Sequence, residues 1–166
     1  ERIDVALRLG GSLPQGLVAK RLATWPRYVV ASPAYLQRRG RPRRPEDLLK
    51  HDVLLYATSA HDGLLLTGPH GTQAVPVHSR YRANSAVALL DATLDGAGVA
   101  LQPSWMVQAH LKSRRLVRLL PRWTGPAQVA HLLYAPVTRQ PLRARVLVQF
   151  LAERIGALPA TKHVPQ

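Results

Sequence analysis

The segment Tyr81–Trp105 constrains this chain more than any other, because its hydrophobic period changes repeatedly over a short distance. It reads as strand, sharp turn, helix, glycine stop, short buried strand and second helix, with an amide or hydroxyl side chain at each strand-to-helix turn. Asn84 and Ser85 are good N-cap residues, and Val87, Leu90, Leu94 and Ala97 keep helical spacing. Gly96 or Gly98 supplies the left-handed residue that ends the helix. Val99 to Leu101 is too short and too apolar for a helix, and Ser104 can cap the next one, which begins at Trp105. Such a succession predicts an open α/β sheet. In that architecture a ligand sits beyond the carboxyl ends of the strands, where free N–H groups and helix dipoles favour an anion. The alternative is that Asn84 and Ser104 only cap their helices, a role that contributes about 1 kcal/mol without any ligand.

With 166 residues and 46% apolar content, the chain can bury a sizeable core as one domain or two small lobes. No run approaches the roughly 18 apolar residues of a membrane span, and no secretory signal opens the sequence. The absence of cysteine excludes disulfides, a thiol nucleophile and thiolate metal ligands, and fits a cytoplasmic location.

The 23 Lys and Arg against 9 Asp and Glu give a net charge of +14, which attracts anions. The basic residues fall in three dispersed groups: Arg38–Arg44, Lys112 to Arg118, and Arg139, Arg143 and Arg145. No helix-turn-helix pattern, zinc-finger spacing or aromatic platform accompanies them, so the reading is an arginine-rich solvated surface and not a specific DNA-binding face.

The remaining chain alternates short elements. Ile3 to Leu9 is a strand ending at Gly10-Gly11-Ser12; Leu17 to Leu22 is another, broken by Trp25-Pro26; and Tyr28 to Ala31 is a third. Ser32 as N-cap, Pro33 at the first helical position and Gly40 past the end predict a helix. Pro45 to Leu49 starts a short helix, and Val53 to Ala57 is a strand. Leu64–Thr67 and Thr72–His78 flank Gly68-Pro69-His70-Gly71 as a hairpin. Leu116 to Leu120, a break from Pro121 to Pro126, and a strand from Val129 to Ala135 lead to a final helix opened by Pro141. Its expected buried face is Val146, Leu147, Phe150, Leu151 and Ile155, and the tail from Pro159 to Gln166 reads as loose.

Catalytic constellations are weak. The seven histidines show no His-x-x-x-His spacing, no acids cluster to complete a metal site, and Gly-x-Ser-x-Gly, Ser-x-x-Lys and Gly-x-Gly-x-x-Gly are all absent. Asp91 and Asp95, one turn apart, read as a solvated face and not an acid/base pair. The expectation is a protein that is not an enzyme and uses no cofactor and no metal.

Six segments in register carry a family resemblance over essentially the whole chain: Asp4–Gly10, Leu17–Leu22, Tyr28–Leu36, Pro45–Leu48 with His51, Ala83–Ser85, and Gly96–Pro103. Together they resemble the effector-binding domain of LysR-type transcriptional regulators. The resemblance implies an α/β, two-lobe domain like a type 2 periplasmic binding protein, with an effector held between the lobes. Lobe one would be residues 1–26 plus 125–158, lobe two residues 27–124, and residues 159–166 the tail. The family's opening strand-helix-strand-helix portion, winged helix-turn-helix and linker helix have no counterpart here, so lobe one reads as incomplete at its N-terminus.

Carried over by position, the resemblance implies a ligand site lined by Gly10, Gly11 and Ser12, by Ser32 and Pro33, by Asn84 and Ser85, and by Gln102, Pro103 and Ser104. Arg8 adds a charge-assisted hydrogen bond, or else is a surface arginine or the partner of Asp4. The implied function is sensing of a small anionic effector by a bacterial regulator that acts as a homo-oligomer. It would contact DNA only through the missing N-terminal domain and have no membrane partner. The alternative is a solute-binding protein of a transport system with the same fold.

Overall fold

The computed structural model describes residues 3–57, 63–136 and 141–156. The tail 159–166 and Arg139 of the third basic group lie outside these residues. The chain divides into two compact units, Glu1–Trp25 with Gln128–Gln166, and Pro26–Ala127. Two long strands, β2 (Val18–Ala31) and β9 (Gly125–Tyr134), carry the backbone from one unit to the other.

In the first unit β1 (Val5–Leu9) pairs antiparallel with β9, from Val5 opposite Tyr134 to Leu9 opposite Ala130, and β9 lies next to β2. Ala23, Trp25 and Ala130 form a small core with Leu22 and with Ile155 of the last helix, α4 (Leu142–Gly156). The buried face of α4 differs from the expected one. Ala144 and Val148 are buried and Leu151 and Ile155 half-buried, whereas Val146, Leu147 and Phe150 are exposed. Both stripes keep helical spacing. The sheet takes the one headed by Ala144 and Val148, because small side chains let the helix approach more closely.

The second unit is built on the remainder of β2. It pairs antiparallel with β7 (Val99–Pro103) and with β8 (Val117–Leu119), while β7, β3 (Asp52–Tyr56) and β6 (His78–Ala83) run parallel in the order β2-β7-β3-β6. Pro26 does not break β2. Its pairing with β7 begins one residue later, at Arg27 opposite Pro103, so no donor to β7 is required where proline lacks one.

One face of this sheet buries Val29, Ala31, Val53, Leu55 and Val99 against Tyr35 of α1 (Pro33–Arg39), Leu48 of the 3-10 turn Pro45–Lys50, and Leu64, Leu66 and Val75 of the hairpin β4–β5 (Gly63–Gly68 and Gly71–Pro76). The hairpin register closes at Gly68 opposite Gly71, which makes Pro69-His70 the turn. The other face buries Val30, Leu54 and Ala100 against Leu89 and Leu90 of α2 (Ala86–Leu94) and Val107 of α3 (Ser104–Lys112). Helix α2 ends at Gly96, whose φ of 81° is the left-handed residue anticipated at position 96 or 98. Part of the Arg38–Arg44 cluster is occupied internally. Arg38 donates to the Gly96 carbonyl at 2.7 Å, Arg41 to that of Arg118 at 3.2 Å, and Arg39 lies 3.6 Å from the Asp52 carboxylate.

Near the start of β3, the Tyr35 hydroxyl accepts from the Asp52 N–H at 2.9 Å and shares a 3.1 Å hydrogen bond with His51 Nδ1. Burial, followed by the charge of Arg39, pushes the His51 pKa below its usual value against the opposing pull of Asp47 and Asp52. The folded state therefore binds this proton less readily than the unfolded chain. The sign follows directly: the contribution of neutral His51 is present above the unfolded value of about 6.5 and is lost as pH falls through it. Melting temperature is expected to decline from about pH 8 to about pH 5, and His51→Gln to flatten part of that decline. Parallel pH curves for the two proteins would remove His51 as the cause.

Candidate functional site

The parallel strands β3, β6 and β7 end together, at Tyr56, Ala83 and Pro103. Beyond β3 the chain returns as the hairpin on one face of the sheet, while β6 and β7 lead into α2 and α3 on the other. Such a divergence opens a crevice at the carboxyl ends of the strands. Ser85 caps α2, its Oγ accepting from the Ala88 N–H at 3.3 Å. Gln102 is almost wholly buried, and its Nε2 reaches the Ala86 carbonyl at 3.5 Å, tying the end of β7 to the first residue of α2. Helix α3 begins at Ser104 behind Pro103. Neither helix carries an acid in its first turn, so both positive dipole ends are left without a fixed negative charge.

Arg27 brings a full charge to the same end of the sheet, since it stands opposite Pro103 in the β2–β7 register. Its Nε is buried and has no hydrogen-bond partner among the described residues. Burial lowers its pKa and the nearby Tyr56 opposes the shift, yet an arginine stays protonated throughout the physiological range. A buried charged donor without an acceptor is costly, and an anion arriving at this spot would remove that cost. The sequence reading did not single out Arg27. Its signal there is a lone basic residue heading the apolar run Tyr28–Ala31, one of many arginines in a basic chain.

The structure brings together some of the expected residues and separates others. Ser85, Gln102, Pro103 and Ser104 share the end just described. Asn84 is exposed and precedes the cap; Ser85 is the cap, and Ser104 is the first helical residue of α3 and does not cap it. Ser32 and Pro33 lie at the opposite end of the sheet, because β2 runs antiparallel to β7 and the helix after it starts beside the beginning of that strand. There the Ser32 Oγ accepts from the Tyr35 N–H at 3.4 Å, buried next to Gly96. Ser32 and Pro33 therefore cannot join the Ser85–Ser104 group, and α1, seven residues long, is held by its own cap.

Arg8, Gly10, Gly11 and Ser12 belong to the first unit, where Gly10 and Gly11 both have positive φ and the Gly10 N–H donates to the Val129 carbonyl at 2.8 Å. The Arg8 guanidinium folds back over Gly11, and Asp4 takes Arg143 as its partner at 3.2 Å in place of Arg8. No group of three metal-ligating side chains occurs among the described residues.

Comparison with known proteins gives this arrangement its context. The family model described as the LysR substrate binding domain matches residues 1–156. The HTH-type transcriptional regulator PtxR of Pseudomonas aeruginosa is 33% identical over 96% of this chain and 51% of its own length. The HTH-type transcriptional activator AaeR of Escherichia coli is 29% identical over 91% of this chain and 49% of its own. Among solved structures, the regulatory domain of CrgA from Neisseria meningitidis superposes with a TM-score of 0.81 at 27% identity, over 93% of this chain and 76% of that one. The full-length virulence activator AphB of Vibrio cholerae gives 0.80 at 26% identity, over 91% and 51%. The chain thus spans about half the length of the curated relatives it matches, and those relatives are regulators, not enzymes or transport proteins. With the α/β architecture, the two units and the family match over all but its last residues in agreement, the chain belongs to the LysR substrate-binding domain family, whose regulatory domains have the two-lobe, periplasmic-binding-protein-like fold.

Proposed function

We propose that this chain is the effector-sensing portion of a cytoplasmic, homo-oligomeric LysR-type transcriptional regulator. Its effector is a small organic anion taken at the carboxyl ends of β3, β6 and β7. The observation that carries the anionic character is Arg27, a charged side chain with a buried, unpartnered donor at the strand ends where the first turns of α2 and α3 also lie. Ser85, Gln102 and Ser104 supply neutral hydrogen-bonding groups beside it. Binding shifts the balance between two arrangements of the regulator and so alters how a helix-turn-helix portion, of the kind named in its relatives, engages operator DNA.

Ser85 separates capping from binding. Ser85→Ala should lose the cap, costing about 1 kcal/mol of stability. Ser85→Asp keeps a good cap but places a negative charge where the effector's would sit, so the melt should stay near that of the parent while affinity for organic acids drops at least roughly tenfold. The measurement is titration of the intact regulator with aromatic and aliphatic carboxylates, read both as binding and as a change in operator affinity. Unchanged affinity in Ser85→Asp would exclude an anion at this end of the sheet.

A further inference from the structure

A different groove lies wholly within the first unit. The start of β2 contributes Lys20, Arg21 and Leu22, the end of β9 contributes Tyr134, and one side of α4 contributes Arg145, Val148, Gln149, Ala152 and Glu153. Its volume of about 490 Å³ is in the range of small-molecule clefts. The floor is apolar, with Val148 buried and Leu22 and Ala152 half-buried.

The rim carries three cations, Lys20, Arg21 and Arg145, against the single carboxylate of Glu153. None of the three cations is in a salt bridge with a carboxylate among the described residues. Glu153 accepts from Gln149 Nε2 at 3.2 Å, and Asp4 is paired with Arg143. Three like charges around one concavity repel each other and concentrate anions, and the apolar floor is left for a hydrocarbon or aromatic body. Glu153 on the same rim opposes a second negative charge. A compact inorganic anion would leave the floor unused, and duplex DNA is too broad to reach it.

We infer that the groove formed by β2, β9 and α4 is a second ligand site, selective for a small organic monocarboxylate whose apolar body rests on Val148 and Ala152 and whose carboxylate meets Lys20, Arg21 and Arg145. It is independent of the reading of Arg27 and Ser85, which belong to the other unit. The site absorbs Arg145, which the sequence assigned to solvated surface.

The test is 19F NMR titration of the intact regulator with 4-fluorobenzoate in an Arg27→Gln background, which keeps the Arg27 site from contributing. Saturable binding is expected, weakened at least tenfold by Lys20→Glu with Arg145→Glu and by Val148→Asp. Glu153→Gln should allow 4-fluorophthalate, a dianion that the parent groove disfavours, to bind at least several-fold more tightly. Thermal melts of each variant establish that it is folded, and the exposed rim changes remain informative if Val148→Asp does not fold. Three outcomes overturn the proposal: no saturable binding in the Arg27→Gln background, binding unaffected by the rim double variant, or inorganic phosphate or random duplex DNA displacing 4-fluorobenzoate at equal strength. Binding that is lost in Arg27→Gln alone supports the Arg27 site and overturns this one.

Discussion

Gly98→Ala is expected to be strongly destabilising, although it adds one methyl group and the residue has an ordinary φ. Gly98 is buried between the end of α2 and the start of β7, and a Cβ there would overlap the carbonyl oxygen of Asp52 and lie 3.2 Å from Leu54 Cδ2. The obstacle is backbone, so no rotamer change relieves it. Asp52 itself is held, because its N–H donates to the buried Tyr35 hydroxyl and Val53 and Leu54 stand in register with Val99 and Ala100. Relief requires separating β3 from β7 at the centre of the sheet. Overpacking of this kind costs about 3 kcal/mol or more, a large part of the roughly 5–15 kcal/mol that holds a domain together. For a chain of this size the melting temperature should fall by roughly 6–12 °C. A melt within about 2 °C of the parent would mean that the start of β3 shifts freely to admit the added methyl group.

The second large effect concerns Arg27, and its sign separates function from architecture. If the guanidinium serves the fold, its removal should destabilise the protein; if it waits for a ligand, its removal should leave stability unchanged or improved, since a buried donor without a partner disappears. Arg27→Gln is expected to leave the melt unchanged or raise it slightly. It should weaken an organic-acid effector by roughly tenfold to a hundredfold, the usual worth of a hydrogen bond to a charged group. Arg27→Lys should recover only part of the affinity, because an ammonium keeps the charge but not the planar fork that grips a carboxylate. The decisive readouts are melts and effector titrations of the intact regulator. A destabilised Arg27→Gln that still binds at parental affinity would make Arg27 a structural residue.

Local signals made the sequence legible where the chain's own neighbours decide conformation. The period change from Tyr81 to Trp105 located β6, α2, β7 and α3, because caps, glycine stops and apolar spacing act within a few residues. The hairpin was readable from the segment Gly68-Pro69-His70-Gly71 for the same reason, while the structure narrows its turn to Pro69-His70, ends β5 at Pro76 and gives His78 to β6. At the α2 cap the sequence offered both Asn84 and Ser85, and only the path of the backbone selected Ser85.

Elsewhere the deciding contacts are distant in the chain. Trp25-Pro26 has the composition of a break, yet the strand continues, because its pairing to β7 starts just past the proline. For α4 the sequence supplied two apolar stripes at helical spacing, and the sheet beneath chose the one with the smaller side chains. The expected site divided in the same way. Ser85 and Ser104 follow parallel strands and, with Gln102 at the end of β7, share an end, whereas Ser32 follows a strand running the other way. Strand direction is a pairing property, invisible in the turn motif itself. The sequence by itself determined the elements, their caps and the family. Tertiary structure decided which turns meet, which face of α4 is buried, and that among the described residues Arg27, at the strand ends, has a buried Nε without an acceptor. Burial and register depend on residues remote along the chain, and no local pattern encodes them.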